Sequence, residues 1–303
     1  MMVYGSIGSR DSNLIKRIES ELFALKETVD NAPDSLRQEP YYQFYVGAIY
    51  GYVGMYYSGI KGENLKAIGV GKDGINYHKK VLQADPLCYD AYYSVGLFHY
   101  FASMAPWYIK PLLWVFGMLG SDEQAHEYLS LAADKGILAR YEAMEWLAQL
   151  YLRRKMIDSA AAVYRKPIRE FPEGCYYYYI KLGNAYDNSK RSSEMVNVCQ
   201  EAIGRSRKNS PDGVNAYLLM GIYNMLGSYK SRINRYDEAI AVYKDALTRN
   251  MCYHDWWYYN LGLSYEKLGD NGSALQYYKM VKGNELPREW NEKVQARLNE
   301  LQK

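Results

Sequence analysis

The stretch that decides the fold is residues 147–172, LAQLYLRRKMIDSAAAVYRKPIREFP. Leu147 and Ala148 are followed three residues on by Tyr151, nine further by Ala160, four further by Tyr164, and finally by Pro172. A second stretch reads the same way: Leu261-Gly262, Tyr265, Ala274, Tyr278. Apolar residues at three- and four-residue offsets share one helix face. Their recurrence as a block marks supersecondary units that stack. The small residue lets two helix backbones approach where they cross, and the aromatics fill the space between successive hairpins. Proline stops the second helix because it cannot continue the backbone ladder.

Working outward, further copies appear. Met144, Leu147, Ala148 and Tyr151 pair with Ala160, Tyr164, Pro167 and Pro172. Tyr179, Leu182, Gly183 and Tyr186 pair with Met195, Cys199 and Ala202. Tyr217, Met220 and Gly221 pair with Ala239, Tyr243 and Ala246 after about six extra residues around Ser228 to Asn234. Tyr258, Leu261, Gly262 and Tyr265 pair with Ala274, Tyr278 and Val281. Upstream, Tyr92, Val95 and Gly96 precede Ala125, Leu129, Ala132 and Ile137, with His99 in an aromatic position and hence read as a core histidine. Residues 104–120, MAPWYIKPLLWVFGMLG, interrupt that copy.

A helix over residues 40–58 contains Gly47, Gly51 and Gly54, with Tyr50 and Tyr57 nearby. Each interior helical glycine costs about 1 kcal/mol, so three predict a close backbone neighbour. The partner helix over 64–83 carries Gly74, His78 and Val81 and stops before Asp85-Pro86. A helix over 12–29 shows Ile15, Ile18, Leu22, Leu25 and Val29 on one face, capped by Ser12 or Asn13. It resembles the second half of a hairpin whose first half is absent. A charged last helix, 287–302, is expected as a solubilising cap.

The expected fold is therefore all-α: one right-handed superhelical solenoid over 12–303 with about six hairpins, near 40–84, 87–136, 139–171, 174–206, 212–250 and 255–284. Residues 1–11 are expected to be disordered.

Composition agrees. The 303 residues include 34 tyrosines but only 6 phenylalanines, which suits thin layers where a ring is buried and its hydroxyl reaches water or a carbonyl. The net charge of +3 gives no concentrated basic stripe, so nucleic acid is not expected as a partner. The densest basic stretch, Arg205, Arg207, Lys208, Lys230, Arg232 and Arg235, is interrupted by Asp212, Asp237 and Glu238 and reads as a solvated face. Cys88, Cys175, Cys199 and Cys252 form no CxxC pair, so buried free thiols are expected and no metal site. No signal peptide is visible in residues 1–10, which makes the cytoplasm the default expectation; an upstream segment would make it the cell envelope.

Residues 40–282, read through these signatures, resemble tetratricopeptide repeats. A narrower likeness lies in Gly96-Leu-Phe-His-Tyr-Phe-Ala-Ser-Met-Ala-Pro106, the apolar stretch, Gly120-Ser-Asp and Ala132-Ala-Asp-Lys-Gly136. It is similar to a group of bacterial repeat proteins and, more distantly, to a eukaryotic mitochondrial outer-membrane and inclusion-clearance repeat family. The resemblance implies a concave groove lined by first helices. The positions it assigns there are Tyr93, Tyr100, Glu142, Glu145, Gln149, Tyr177, Asn184, Asn215, Trp256 and Tyr259. Aromatics alternating with amides and carboxylates suit an extended peptide or a helix. The Lys, Arg and Asn clamp that some such repeats use for chaperone tails would fall on Glu145, Gln149, Ile180 and Asn184, of which only Asn184 fits.

The insertion 104–120 is the oddest segment. Trp107, Tyr108, Trp114 and Phe116 make it apolar and aromatic, yet it is shorter than the roughly 20 residues that span a bilayer. Its foremost reading is that it folds back and fills a groove; a partner or self-pairing contact and a membrane-interface contact are the others. Gly69-Val-Gly71-Lys-Asp-Gly74 matches a dinucleotide fingerprint but lies in a helical setting. His126, beside Glu123 and Glu127, reads as solvated, and His254-Asp255 has no nucleophile in reach. No catalytic residues and no cofactor are assigned. The sequence points to a non-catalytic adaptor that binds a protein or peptide in its groove. The alternative is a membrane-associated assembly factor docking through 104–120.

Overall fold

The computed structural model describes residues 12–108, 110–115, 117–207, 213–249, 254–283 and 288–302. The stretch 1–11, Cys252 and Phe116 lie outside the described residues. All regular structure among the described residues is helical. The chain divides into two compact units, meeting in sequence after Lys155.

The first unit holds α1 (Ser12–Asp30), α2 (Asp34–Arg37), α3 (Pro40–Tyr56), a π-turn (Tyr57–Lys61), α4 (Asn64–Ala84), α5 (Tyr89–Ser103), α6 (Lys110–Val115), α7 (Asp122–Lys135) and α8 (Arg140–Arg153). Glycine governs the α3–α4 pair. A Cβ on Gly47 would lie 2.7 Å from His78 Nε2 and 2.9 Å from the Gly74 carbonyl; one on Gly74 would lie 2.9 Å from the Gly47 carbonyl. The two helices touch through their backbones, as the glycine-rich pattern predicts. Gly74 also closes the dinucleotide-like stretch, all of which lies in α4. Its glycines therefore serve a helix and not a strand-to-helix turn.

His78 is fully buried and its Nε2–H donates to the Phe44 carbonyl at 3.0 Å. Burial, opposed only by that hydrogen bond, pushes its imidazole down to about 4. His99 is buried between the rings of Phe98 and Tyr128, and burial followed by the charge of Lys79 lowers its pKa too. At the start of α5, Asp90 Oδ1 accepts from the backbone N–H of Ile137, Leu138 and Ala139 at 2.9, 2.9 and 2.8 Å. One carboxylate thus fixes the turn that follows α7. Ser121 caps α7 by accepting from Gln124 N at 3.1 Å.

The insertion corrects an expectation. Leu113 and Met118 are buried, while Trp107, Tyr108 and Trp114 face solvent. The physical reason is length. A six-residue helix has one narrow inward side, and Leu113 occupies it. Trp107, Tyr108 and Trp114 therefore cover no groove.

The second unit holds α9 (Ile157–Glu170), α10 (Tyr176–Asn188), α11 (Ser192–Ser206), α12 (Gly213–Arg232), α13 (Tyr236–Thr248), α14 (His254–Lys267), α15 (Asn271–Met280) and α16 (Arg288–Leu301). A Cβ on Gly262 would lie 2.6 Å from the Tyr278 ring, and one on Gly227 would overlap the Tyr243 ring. Each glycine accommodates the tyrosine sixteen residues on. Turns follow the same register. Lys190, Asn234 and Gly269 have positive φ, each seven residues after Gly183, Gly227 or Gly262. The next N–H, of Arg191, Arg235 or Asp270, reaches back to the carbonyl of Tyr186, Lys230 or Tyr265 at 2.9, 2.9 and 3.0 Å. This is a Schellman closure.

These distances correct the register of one copy. Its signature is Tyr223, Leu226 and Gly227, not Tyr217, Met220 and Gly221. Tyr223 is fully buried whereas Tyr217 is 55% exposed. The six extra residues are not an insertion between the helices. They lengthen α12 at its N-terminal end, making it a 20-residue helix.

Candidate functional face

The first helices of the second unit lie side by side. A Cβ on Gly183 of α10 would meet Met225 Sδ of α12 at 2.7 Å, and one on Gly221 of α12 would meet Ile180 at 3.3 Å. Trp256 Nε1 on α14 donates to Asn224 Oδ1 on α12 at 2.9 Å. These contacts make α10, α12 and α14 one continuous face. Tyr177 and Asn184 stand exposed on it, with Lys181 Nζ 5.1 Å from the centre of the Tyr177 ring.

The other expected groove residues fall out differently. Asn215 is half-buried on the N-terminal extension of α12, six residues before Gly221. The corrected register puts Asn224 and Ser228 on the face instead, and Ser228 Oγ donates to Asn224 Oδ1 at 3.3 Å. The signal that would have found them is the sixteen-residue step from Gly227 to Tyr243. Tyr259 is buried and not groove-facing, because Trp290 of α16 packs edge-on against it at 5.1 Å. Trp290 also meets Trp256, half-buried, at 5.2 Å. The last helix covers the end of this face.

In the first unit, Tyr93 is half-buried on α5. Tyr100 is buried and is a packing residue: Trp146 lies 5.2 Å away and the Arg153 guanidinium 4.6 Å from its ring. Glu142, Glu145 and Gln149 are half-buried along α8, and Gln149 Nε2 donates to Glu145 Oε1 at 3.0 Å. His126 is half-buried and its Nε2 lies 2.8 Å from the Tyr151 hydroxyl, so it is not simply solvated.

Charge on the second unit is neutralised pair by pair. Glu201 accepts from Tyr179 at 2.7 Å, Arg165 at 2.5 Å and Arg205 at 3.1 Å. Burial works against its ionisation, but Arg165 and Tyr179 hold its carboxyl below the usual range. Arg207 pairs with Asp245 at 3.3 Å, Lys230 with Glu238 at 2.6 Å and Arg232 with Asp187 at 2.6 Å. Arg235 also pairs with Glu238. Arg205, Arg207, Lys230, Arg232 and Arg235 of the basic stretch are thus paired within their own unit; Lys208 lies outside the described residues.

A cavity of about 370 Å³ between α11, α12 and α13 is lined by Ile203, Leu226, Val242, Tyr223, Arg207 and Asp245. Its one carboxylate, Asp245, already accepts from Tyr223 and Arg207. Among the described residues no group of three or more His, Cys, Asp and Glu is placed to hold a metal ion. Cys88, Cys175 and Cys199 are free thiols, and burial pushes Cys199 up to about 12.

Three family profiles, each described as tetratricopeptide repeat, match residues 142–174, 176–209 and 224–285. The last begins at Asn224, downstream of Tyr217 and Gly221, in agreement with the register set by Gly227. These segments of the chain are tetratricopeptide repeats. Residues 96–136, which carry the narrower likeness, lie outside the matched segments. No curated protein matches the sequence. Among solved structures, yeast Tom70 aligns at 13% identity and TM-score 0.45 over 97% of this chain, which spans 61% of the Tom70 chain. BtubC (BKLC) from P. vanneervenii aligns at 14% identity and TM-score 0.42, covering 94% of this chain and 92% of its own. A thermophilic repeat protein of Thermus thermophilus aligns at 18% identity and TM-score 0.37, covering 62% of this chain and 94% of its own. Tetratricopeptide repeats make this chain a protein-interaction scaffold in general terms.

Proposed function

We propose that this chain is a non-catalytic adaptor that binds an extended peptide or a helix along the first helices of its second unit. The observation that carries the reading is the continuous face of α10, α12 and α14, displaying Tyr177, Asn184, Asn224 and Trp256. Asn184 offers an exposed amide that can both donate to and accept from a peptide backbone. Tyr177 offers a rigid ring with little rotamer entropy to lose, the kind of side chain that dominates interface energy. Lys181 lies over the Tyr177 ring, and Tyr177, Asn184, Asn224 and Trp256 are uncharged, which favours shape and amide recognition over ionic attraction. Glu142, Glu145 and Gln149 of the first unit offer a more acidic surface suited to a basic segment.

The test is affinity capture from native extract with mass spectrometry, comparing wild type with Tyr177→Ala plus Asn184→Ala. Both side chains are exposed, so helicity and melting should not change. A protein held by wild type and lost by the variant supports the reading. Equal capture by both removes the face from consideration, and capture of nothing specific by either overturns the adaptor assignment.

A further inference from the structure

We infer that the insertion between α5 and α7 is a membrane-surface contact that partitions into the headgroup region of a phospholipid bilayer. Three observations carry this, none of which depends on the groove. The first is exposure of a particular kind. Trp107, Tyr108 and Trp114 are 83%, 63% and 70% exposed, and Met104, Val115 and Leu119 are exposed beside them in sequence. The other described tryptophans, Trp146, Trp256, Trp257 and Trp290, are buried or half-buried. Soluble surfaces rarely gather large apolar side chains in this density. Trp and Tyr are the side chains that favour the bilayer interface, where a ring sits in the acyl boundary and its N–H or O–H reaches water and headgroups.

The second observation is charge. Residues 104–121 contain one charged side chain, the exposed Lys110. The carboxylates that follow are already engaged: Asp122 by Arg153 and by Arg154 at 3.4 Å, and Glu123 by Arg154 at 3.6 Å. The aromatic surface therefore carries a cation for lipid phosphate and no free anion to be repelled by it.

The third is anchoring. Leu113 and Met118 are buried, Met118 N donates to the Leu113 carbonyl at 2.7 Å, and a Cβ on Gly120 would lie 2.6 Å from Ala102 Cβ. The segment is tied to the end of α5 on its inner side while its outer side is displayed. No described helix is long and apolar enough to cross a membrane. With a six-residue helix at its centre the segment makes a shallow contact at the surface, and a single such element gives reversible binding.

The experiment is co-sedimentation with unilamellar vesicles of phosphatidylcholine, with and without about one-third phosphatidylglycerol, alongside tryptophan emission. Wild type is expected to bind both, the anionic vesicles more tightly, with a blue shift of emission. Trp107→Ser plus Trp114→Ser should lower the partition coefficient by at least about tenfold with unchanged circular dichroism. Lys110→Glu should weaken binding to the anionic vesicles only. Failure of wild type to bind either vesicle overturns the inference, as does equal binding by the double variant. A concentration-dependent dimer that the same double variant dissociates, without vesicle binding, would reassign the surface to a second copy of the chain.

Discussion

Tyr179 of α10 donates its phenolic proton to Glu201 of α11 at 2.7 Å, across 22 residues of sequence. Tyr223 and Asp245 repeat the relationship at the same distance and the same separation. In each case an arginine four residues after the carboxylate, Arg205 or Arg249, faces it as well. The device ties a first helix to its second helix with a hydroxyl in a mostly apolar layer. Burial, then the neighbouring carboxylate, raises the ionisation of both tyrosines above the ordinary phenol range, so they remain donors at any physiological pH.

Tyr179→Phe keeps the ring and removes only that donor. Hydrogen bonds to charged groups contribute about 1.5–3 kcal/mol, and Glu201 keeps its two arginines, so a loss near the lower bound is expected. Urea denaturation of Tyr179→Phe, Glu201→Gln and the double variant should show a coupling above about 0.5 kcal/mol. Strict additivity would mean the hydroxyl does not stabilise the carboxylate.

Gly69 and Gly74 lie in the same helix and should respond oppositely to alanine. A Cβ on Gly69 meets nothing within 4 Å, so Gly69→Ala should stabilise by roughly 0.5–1 kcal/mol through helix propensity. A Cβ on Gly74 meets backbone atoms of Gly47 and Gly51 at 2.9 and 3.1 Å, which forces α3 and α4 apart. Gly74→Ala should cost about 1–3 kcal/mol, the usual range for overpacking. Thermal melts of the two variants, read by circular dichroism, decide it.

His78 predicts an acid sensitivity of the first unit. Its folded pKa is depressed from 6.5 to about 4, so the stabilisation is complete above 6.5 and is lost as pH falls toward 4. In that window the unfolded chain binds a proton that the folded chain refuses. The difference amounts to roughly 3 kcal/mol. His99 shifts in the same direction and adds to the slope. His78→Gln retains an N–H for the Phe44 carbonyl without a titrating group, and should flatten the dependence of stability on pH between these values. An unchanged slope would place the acid sensitivity elsewhere.

The register of α12 is testable with two tyrosines six residues apart. Tyr223→Ala empties a fully buried site and should cost about 3–5 kcal/mol, while Tyr217→Ala, on the exposed extension, should stay within about 0.5 kcal/mol. Chemical denaturation of both variants checks the assignment. A reversal would favour the other register, with Asn215 on the binding face.

Most of the fold was legible because its signals are local. Ala160, Ala274 and their aromatic partners carry the period without reference to anything distant, and Gly47, Gly54 and Gly74 announce a helix crossing by being costly in a helix. The register of α12 was harder, since Tyr217-x-x-Met220-Gly221 and Tyr223-x-x-Leu226-Gly227 fit the same local pattern six residues apart. Only the distance to Tyr243 separates them. The candidate face was less legible than the core. Tyr259 has the composition of a groove residue, but its burial depends on Trp290, which comes from a helix about thirty residues downstream. The insertion was legible as apolar but not in its orientation, because which side of a six-residue helix faces inward is a tertiary matter.

The turns inside the hairpins carry a last consequence. Lys155, Lys190 and Asn234 adopt the left-handed conformation that Gly269 also adopts, and they are the non-glycine residues that do so among the described residues. The conformation is disfavoured for a side chain by roughly 1–2 kcal/mol, yet a lysine occupies it twice. At Lys190 and Asn234 the joint is therefore dictated by the hydrogen-bonded closure and not by the residue placed there. A lineage could therefore exchange the residue at such a corner without reshaping the hairpin around it.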